Sequence, residues 1–526
     1  MARRPKTTGN GPAPTTAQRL GSILKSARDI MRKDKGLNGD LDRLPMLTWV
    51  MFLKFLDDLD LQREQEAALA GERFRPAVEA PYRWRDWAAN PQGPTGDDLL
   101  AFINSEKTTR PDGTEGPGLF AYLRGLTASN GDDRREVIAT VFRAVDNRMR
   151  SGYLLRDVLD KVSEIHFTSS EELHTLGAMY ESMLREMRDA AGDSGEFYTP
   201  RAVVRFMVQA LDPLLGETVL DPAAGTGGFL VEVFSHLSGQ VRTVQDREVL
   251  QRRSIFGCEP KGLPYLLGQM NLLLHGLDAP QLDPGNALRF RLTEIGEKDR
   301  VDVILTNPPF GGEEEKGIQD NFPDDRRAAE TALLFLQLIM RRLHRVPTAA
   351  GRAARAAVVV PNGTLFGDGV CARIKADLLM QFNLHTVLRL PEGVFAPYTD
   401  IPTNVIFFDT AGPTRDVWFY EMPLPEGRRK YSKTKPLQFE ELAECLAWWD
   451  NREEGPRAWK VNGPELIQRD EAGRIVAVNL DLKNPAAKEA VDHRAPNDIV
   501  ASVIEKERQV LVLLNEIKAL VTEQVA

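Results

Sequence analysis

The spacing of apolar positions changes partway along the chain. Leu20, Ile23, Leu24, Ala27 and Ile30 or Met31 recur at intervals of three and four, which predicts a helix from Arg19. A second, more apolar helix is predicted over 44–61, on Leu47, Val50, Met51, Phe55, Leu56 and Leu59. Shorter ones follow over 97–104, 134–149 and 154–162, with Trp84 and Trp87 in Pro- and Gly-rich connections. Residues 18–165 therefore read as an all-helical domain, behind a tail, 1–17, whose Pro, Gly, Thr and basic residues predict disorder. An amphipathic helix over 173–187 and the turn cluster Gly192-Asp193-Ser194-Gly195 lead into a different pattern. Short apolar runs at 218–220, 254–257, 301–305, 357–360, 386–390, 404–408 and 417–420 read as strands. Helical stretches at 228–237, 262–275, 330–343 and 370–381 sit among them, and Thr199 and Pro200 read as the cap and first turn of another over 201–211. This alternation predicts an α/β domain over 166–425, a doubly wound, mainly parallel sheet. Its last strands have no helix between them, so the sheet should end in an antiparallel hairpin. Residues 426–496 read as an irregular, charged extension in which Trp448, Trp449 and Trp459 pack. Over 497–526 the chain closes with a helix whose Ile499, Val503, Val510, Leu513, Ile517 and Leu520 form a heptad-like seam, which either folds back on its own domain or, as expected here, docks a partner.

Composition narrows the class. The 526 residues are 42% hydrophobic and 27% charged, as in ordinary soluble proteins, and the three cysteines are too scattered for a disulfide framework or a zinc site. Without an apolar run of bilayer length or a secretory signal, the expectation is a cytoplasmic protein with no membrane contact. A formal net charge of −9 argues against gripping nucleic acid by bulk charge. If the substrate is DNA, a local patch or a partner must supply the grip.

Two stretches carry the chemistry. Val303-Ile304-Leu305-Thr306-Asn307-Pro308-Pro309-Phe310 is a buried strand stopped by two prolines, which have no N–H for the ladder. At its carboxyl end the Asn307 amide can accept and donate hydrogen bonds, and Phe310 offers a stacking face, a pair suited to a flat heterocycle with an exocyclic amine. Upstream, Val219-Leu220-Asp221-Pro222-Ala223-Ala224-Gly225-Thr226-Gly227-Gly228-Phe229 is strand, glycine loop, helix. Asp221 at the loop entrance would repel a pyrophosphate and suit a cation, while Glu259, after the next strand, is placed for ribose hydroxyls. A ligand with a cationic amino acid end and a ribose points to S-adenosylmethionine. Asn286 either lines that cofactor's adenine or is a turn residue.

Read together, these motifs resemble the amino DNA methyltransferases that modify adenine N6. With Val358-Val-Val-Pro-Asn-Gly363, Leu365-Phe366, Leu390-Pro-Glu-Gly-Val-Phe395 and Thr403-Asn404 added, the chain resembles the modification (M) subunit of type I restriction–modification systems over nearly its whole length. Ala224 stands where that family often has Cys, and the stretch between Asp221 and Glu259 is longer than in a simple unit. The resemblance implies a Rossmann-like methyltransferase sheet and methyl transfer from S-adenosyl-L-methionine to adenine N6 in double-stranded DNA. Asn307, Pro308 and Phe310 would be catalytic. Glu196, Phe197, Tyr198, Thr199, Asp221, Ala223, Gly225, Thr226, Gly227, Glu259, Asn286 and Asn307 would bind the cofactor, with no metal. It also implies a DNA specificity subunit, an ATP-dependent restriction subunit and two M subunits per complex. No Gly-x-x-x-x-Gly-Lys-Ser/Thr occurs, so ATP is not expected to bind this chain.

Other expectations are blander. Glu313-Glu314-Glu315-Lys316 reads as a mobile solvated loop, Asp302 as a polar strand start, and Arg341, Arg342, Arg345, Arg352 and Arg355 either track phosphates or face solvent. Rival readings are a protein glutamine methyltransferase, whose motif usually ends in Tyr, a methyltransferase–nuclease fusion, and a non-enzymatic scaffold. The last should have lost Asp221, the glycines or Asn307, and all are present.

Overall fold

The computed structural model describes residues 15–71, 73–127, 133–167, 170–190, 199–396, 399, 401–486 and the isolated positions 504, 507, 508 and 511. The terminal helix expected over 497–522 lies outside them apart from those four, as does the 1–14 part of the tail. The chain forms two compact units, Lys483–Ala526 and the larger Met1–Leu482, which carries the fold and the candidate site.

Its amino-terminal part is helical, as the three-and-four spacing predicts. Helix Thr16–Met31 starts at a Thr15–Gln18 capping box and buries Leu20, Ile23, Leu24, Ala27 and Met31. The next helix, Asp40–Ala70, is longer than the predicted 44–61. It begins before Pro45, where Asp40 and Asp42 complement the positive end of the helix dipole, and stops at Gly71 with φ 71°. Trp84 and Trp87 are buried edge to face, their centroids 5.7 Å apart. No helix among the described residues is long and apolar enough to cross a membrane.

The remainder of this unit is organised by a nine-stranded mixed sheet. Its strands are β1 (Val219–Asp221), β2 (Ile255–Cys258), β3 (Gln281–Asp283), β4 (Val303–Thr306), β5 (Arg355–Pro361), β6 (Asn383–Arg389), β7 (Thr403–Asp409), β8 (Asp416–Glu421) and β9 (Ala458–Asn462). The spatial order is β9-β8-β6-β7-β5-β4-β1-β2-β3. Strands β3, β2, β1, β4 and β5 are parallel neighbours, and β7 runs antiparallel between β5 and β6. The predicted hairpin is thus β6–β7. The sheet does not end there, because β8 pairs parallel to β6 and β9 pairs antiparallel to β8.

Side-chain alternation divides the core between the two faces. Val303 and Leu305 join the cluster that includes helices Arg201–Leu211, Gly228–Ser238 and Gly262–Leu274, while Ile304 joins the one built on Thr331–Arg342 and Gly369–Gln381. The stretch expected to be irregular carries helix Ala443–Asp450, β9 and a short ladder, 467–469 against 475–478. Its tryptophans pack on the sheet: Trp449 lies 4.5 Å from Phe407, Trp448 4.9 Å from Tyr420, and Trp459 stacks 5.3 Å from Phe419.

Of the arginines expected at the surface or on phosphates, Arg355 and Arg352 are struts, while Arg345 is exposed as expected. Arg355, which opens β5, is buried and donates to both Glu217 carboxylate oxygens at 2.9 and 2.8 Å and to the Leu211 and Asp212 carbonyls. Arg352 reaches the same corner through Asp212, and Arg345 lies 4.2 Å over the Phe382 ring. Burial opposes the Glu217 charge, yet the Arg355 bonds together with the Leu214 N–H outweigh it and hold the carboxyl below its ordinary range. A depressed folded pKa means this stability is present near neutral pH and is lost as pH falls through the carboxylate range. Glu217→Ala would strand a buried guanidinium, so urea denaturation at neutral pH should show a loss of about 3–5 kcal/mol. A loss below about 1 kcal/mol, the value of an exposed pair, would contradict the strut.

Candidate active site

Strands β1 and β4 lie side by side, Val219 against Val303 and Leu220 against Ile304, so their carboxyl ends open at one level. Both end in a polar residue. Asp221 is 1% exposed, Thr306 is fully buried, and the Thr306 hydroxyl donates to Asp221 Oδ1 at 2.7 Å. The Ala223 N–H donates to the same oxygen at 3.1 Å. Beyond Asp221 the chain turns sharply through Gly225 and Gly227, both left-handed at φ 54° and 76°. Only glycine adopts such angles without strain, and Gly227 is the residue from which helix Gly228–Ser238 starts.

Glu259 follows β2 and closes the other side of the loop. It is 5% exposed and accepts the Gly225 N–H at 3.0 Å and the Lys261 N–H at 2.8 Å. Burial pushes its carboxyl up, partly offset by those N–H groups. Burial also pushes Asp221 up to about 7, and the nearby Glu259 charge adds to it against the Thr306 and Ala223 bonds. Two desolvated carboxylates around a glycine loop suit a cationic, hydroxyl-bearing ligand.

One strand over, Asn307 leaves β4 with its amide fixed from outside the strand. Its Nδ2 donates to the Thr199 hydroxyl at 3.1 Å, while its Oδ1 is buried and accepts no hydrogen bond among the described residues. Phe310 is half-buried, and its ring meets Phe395 edge to face at 5.7 Å. The structure thus brings Asp221, the glycine loop and Glu259 together through direct bonds, and Asn307 to Thr199. Thr199 does not cap the next helix as expected. Pro200 is the cap residue, with no side-chain bond, and the Thr199 hydroxyl is engaged by Asn307.

Asn286 caps the turn Ala287–Arg289, its side-chain oxygen accepting the Leu288 N–H at 2.8 Å. Glu196, Phe197 and Tyr198 lie outside the described residues. The acidic run after Phe310 is held: Glu313 bridges Glu330, the Glu314 N–H donates to the Ala329 carbonyl, and Glu315 precedes helix Lys316–Gln319. Asp302 accepts the Thr218 N–H and hydroxyl at 2.8 and 2.9 Å, a strand-start anchor. A cavity of about 970 Å³ lies elsewhere, between helix Asp40–Ala70 and edge strand β3, and Asp221, Glu259 and Asn307 do not line it.

Comparison with known proteins gives this arrangement a lineage. The sequence model described as N-6 DNA Methylase matches residues 171–489. The chain belongs to the N-6 DNA methylase family. A second model, the HsdM N-terminal domain, matches residues 20–162. The chain is 45% identical to the type I restriction enzyme EcoEI methylase subunit of Escherichia coli, over 95% of this chain and 97% of that protein. It is 66% identical to a modification subunit from Vibrio vulnificus YJ016 whose crystal structure superposes with a TM-score of 0.82, covering 92% of this chain and all of that one. A structure described under complex assembly and conformational transition of the type I R-M system is 40% identical, with a TM-score of 0.77 over 97% of this chain and 99% of that one. The protein is therefore an adenine-specific DNA methyltransferase, the methylase subunit of a type I restriction–modification system, and its family implies use of S-adenosylmethionine.

Sequence reasoning about this N-6 DNA methylase passed over several residues. Thr306 was visible as a hydroxyl inside an otherwise apolar strand, but its bond to Asp221 spans 85 positions. Asn362 and Asn404 were read only as part of the resemblance. Here Asn404 donates to the Asn362 side-chain oxygen at 3.2 Å, and Asn362 to Asp481 at 3.0 Å, with Arg389 on the other Asp481 oxygen.

The raised Asp221 sets a pH dependence for the ligand-free methylase. Its folded pKa lies above the unfolded one, so this group's contribution is complete below about pH 4 and is lost as pH rises to about 7. Asp221→Asn, which cannot titrate, should raise the urea midpoint at about pH 8 and flatten its decline from about pH 5. A variant declining as steeply as the native protein would show that Asp221 is not the group responsible.

Proposed function

We propose that Asp221 and Glu259 hold S-adenosylmethionine while Asn307, Pro308 and Phe310 hold an adenine turned out of duplex DNA. The residues suit the cofactor: Asp221 is an anion for its ammonium end, Glu259 keeps lone pairs for its ribose hydroxyls, and the glycine loop lets backbone approach closely. Ala223, Thr226, Asn286 and Asn307 complete the proposed contacts, with Glu196, Phe197, Tyr198 and Thr199 from the segment before helix Arg201–Leu211. When bound, this cofactor supplies an electrophilic methyl group on a sulfonium.

The observation that carries the catalytic half is the buried Oδ1 of Asn307, unpaired among the described residues. A buried acceptor without a donor is costly, and in a catalytic cleft it is a place kept for a ligand donor. Adenine N6 is a weak nucleophile because its lone pair is delocalised into the ring. Asn307 Oδ1 and the Pro308 carbonyl would each accept one N6–H bond. That favours a pyramidal nitrogen with its lone pair aimed at the methyl group, an interaction stronger in the transition state than in the ground state. As the nitrogen gains the methyl group, its proton becomes acidic and leaves to water, so no prior base is required. Phe310, braced by Phe395, would stack on the extruded base.

Target choice belongs to a separate specificity subunit. This reading is supported by the net charge of −9 and by the absence of a base-reading motif. The chain would act in a cytoplasmic complex with an ATP-dependent restriction subunit and a second M subunit, with its segment 497–526 docking a partner.

Transfer of labelled methyl from S-adenosylmethionine to DNA, with and without the co-expressed specificity subunit, tests both parts. Methylation should need the partner, and Asn307→Ala should cut it by roughly 10²–10³-fold. Sequence-specific methylation by this chain alone would move target reading into it, and a near-native rate for Asn307→Ala would remove Asn307 from catalysis.

A further inference from the structure

We infer that Thr199 is a positioning residue that sets which end of the Asn307 amide faces the target amine. The inference rests on the catalytic reading of Asn307. An amide has an acceptor end and a donor end, and its terminal torsion is broad and nearly two-fold. Rotation by half a turn replaces Oδ1 with an NH₂ group, which would point donors at the N–H bonds of adenine N6. Nothing in strand β4 itself prevents that, because Asn307 follows Thr306 at the strand's end and precedes two prolines.

The restraint comes from another element. The Thr199 hydroxyl accepts a hydrogen bond from Nδ2 at 3.1 Å, so the partner of the donor end is fixed and Oδ1 is left unpaired among the described residues. Thr199 is itself well anchored. Pro200 follows it, with φ −53°, and starts helix Arg201–Leu211, which buries Ala202, Val203, Val204, Phe206, Met207, Val208 and Leu211. Arg201 ties the start of that helix to the glycine-loop side by donating to the Gly228 carbonyl at 2.7 Å. The hydroxyl is thus carried by a packed helix braced on the cofactor half, and it orients an amide in the catalytic half. Occupied sites would then assemble together: displacement of the 199–201 corner would free the amide to rotate.

The test uses the full chain co-expressed with its specificity subunit, with S-adenosylmethionine and target duplex as probes. Thr199→Val keeps the shape and removes the acceptor; Thr199→Ser keeps the acceptor. Single-turnover methylation at saturating cofactor should fall roughly 10- to 100-fold in Thr199→Val, as expected for loss of alignment at a reacting atom, and recover in Thr199→Ser. Cofactor Kd is measured in both, so that a loss of rate at saturating cofactor is separated from any loss of the proposed Thr199 cofactor contact. The inference is overturned if Thr199→Val weakens cofactor binding while the saturated rate stays native, which would make the hydroxyl a cofactor contact alone. It is also overturned if Thr199→Val is native in both while Asn307→Ala is inactive. Methylation that survives Asn307→Ala would instead sink the underlying catalytic reading.

Discussion

The hydrogen bond from Thr306 to Asp221 joins the two halves of the site across neighbouring strands. One end is the carboxylate proposed to receive the cofactor's cation, and the other immediately precedes the residue proposed to receive the target amine. Because both groups are buried on a parallel ladder, their separation is set by strand spacing and not by flexible side chains. A reaction that needs two bound groups brought into line gains from such rigidity, since a displacement of about 1 Å at the reacting atoms can cost 10²-fold in rate. The two prolines after Asn307 extend the constraint by ending the ladder there.

Rigidity at this point is sustained by the rest of the unit. The Arg355–Glu217 pair anchors the start of β5 to the segment before β1, so the strand flanking β4 is held at its far end. The antiparallel β7, between β5 and β6, brings Asn404 beside Asn362 at the level of the site, and Asp481 binds both Asn362 and Arg389. Phe395, in the connection from β6 to β7, supplies the edge against Phe310. The chain's net negative charge places no comparable demand on this architecture. It bears on how DNA is held, and it supports the proposed division in which a partner grips and reads while this subunit performs the chemistry.

What could be read in advance follows physical rules. Strands β1, β2 and β4 through β8 are apolar runs bounded by turn residues, and they were legible. Strand β3 was not: it has three residues, two of them polar, between Pro280 and Pro284, and neighbouring β2 makes it a strand. Strand β9 alternates weakly and is defined by its pairing with β8. Asp221, Gly225, Gly227 and Asn307 stood out because their residue types are needed locally, for a turn, a buried charge or an amide. Thr199 was misread as a cap because its actual partner lies 108 positions away. Arg355 looked like a surface charge for the same reason, since Glu217 is 138 positions distant. Local chemistry announces itself in sequence, whereas long-range side-chain pairs do not.

The proposed chemistry depends on Asn307 keeping an open acceptor for adenine N6. A structure of the assembled methylase with target duplex and a non-reactive S-adenosylmethionine analogue measures it directly. The expected result is an extruded adenine whose N6 lies about 3 Å from Asn307 Oδ1, with Nδ2 still on the Thr199 hydroxyl. An adenine bound with N6 facing other acceptors, or with the Asn307 amide turned to present Nδ2, would contradict it.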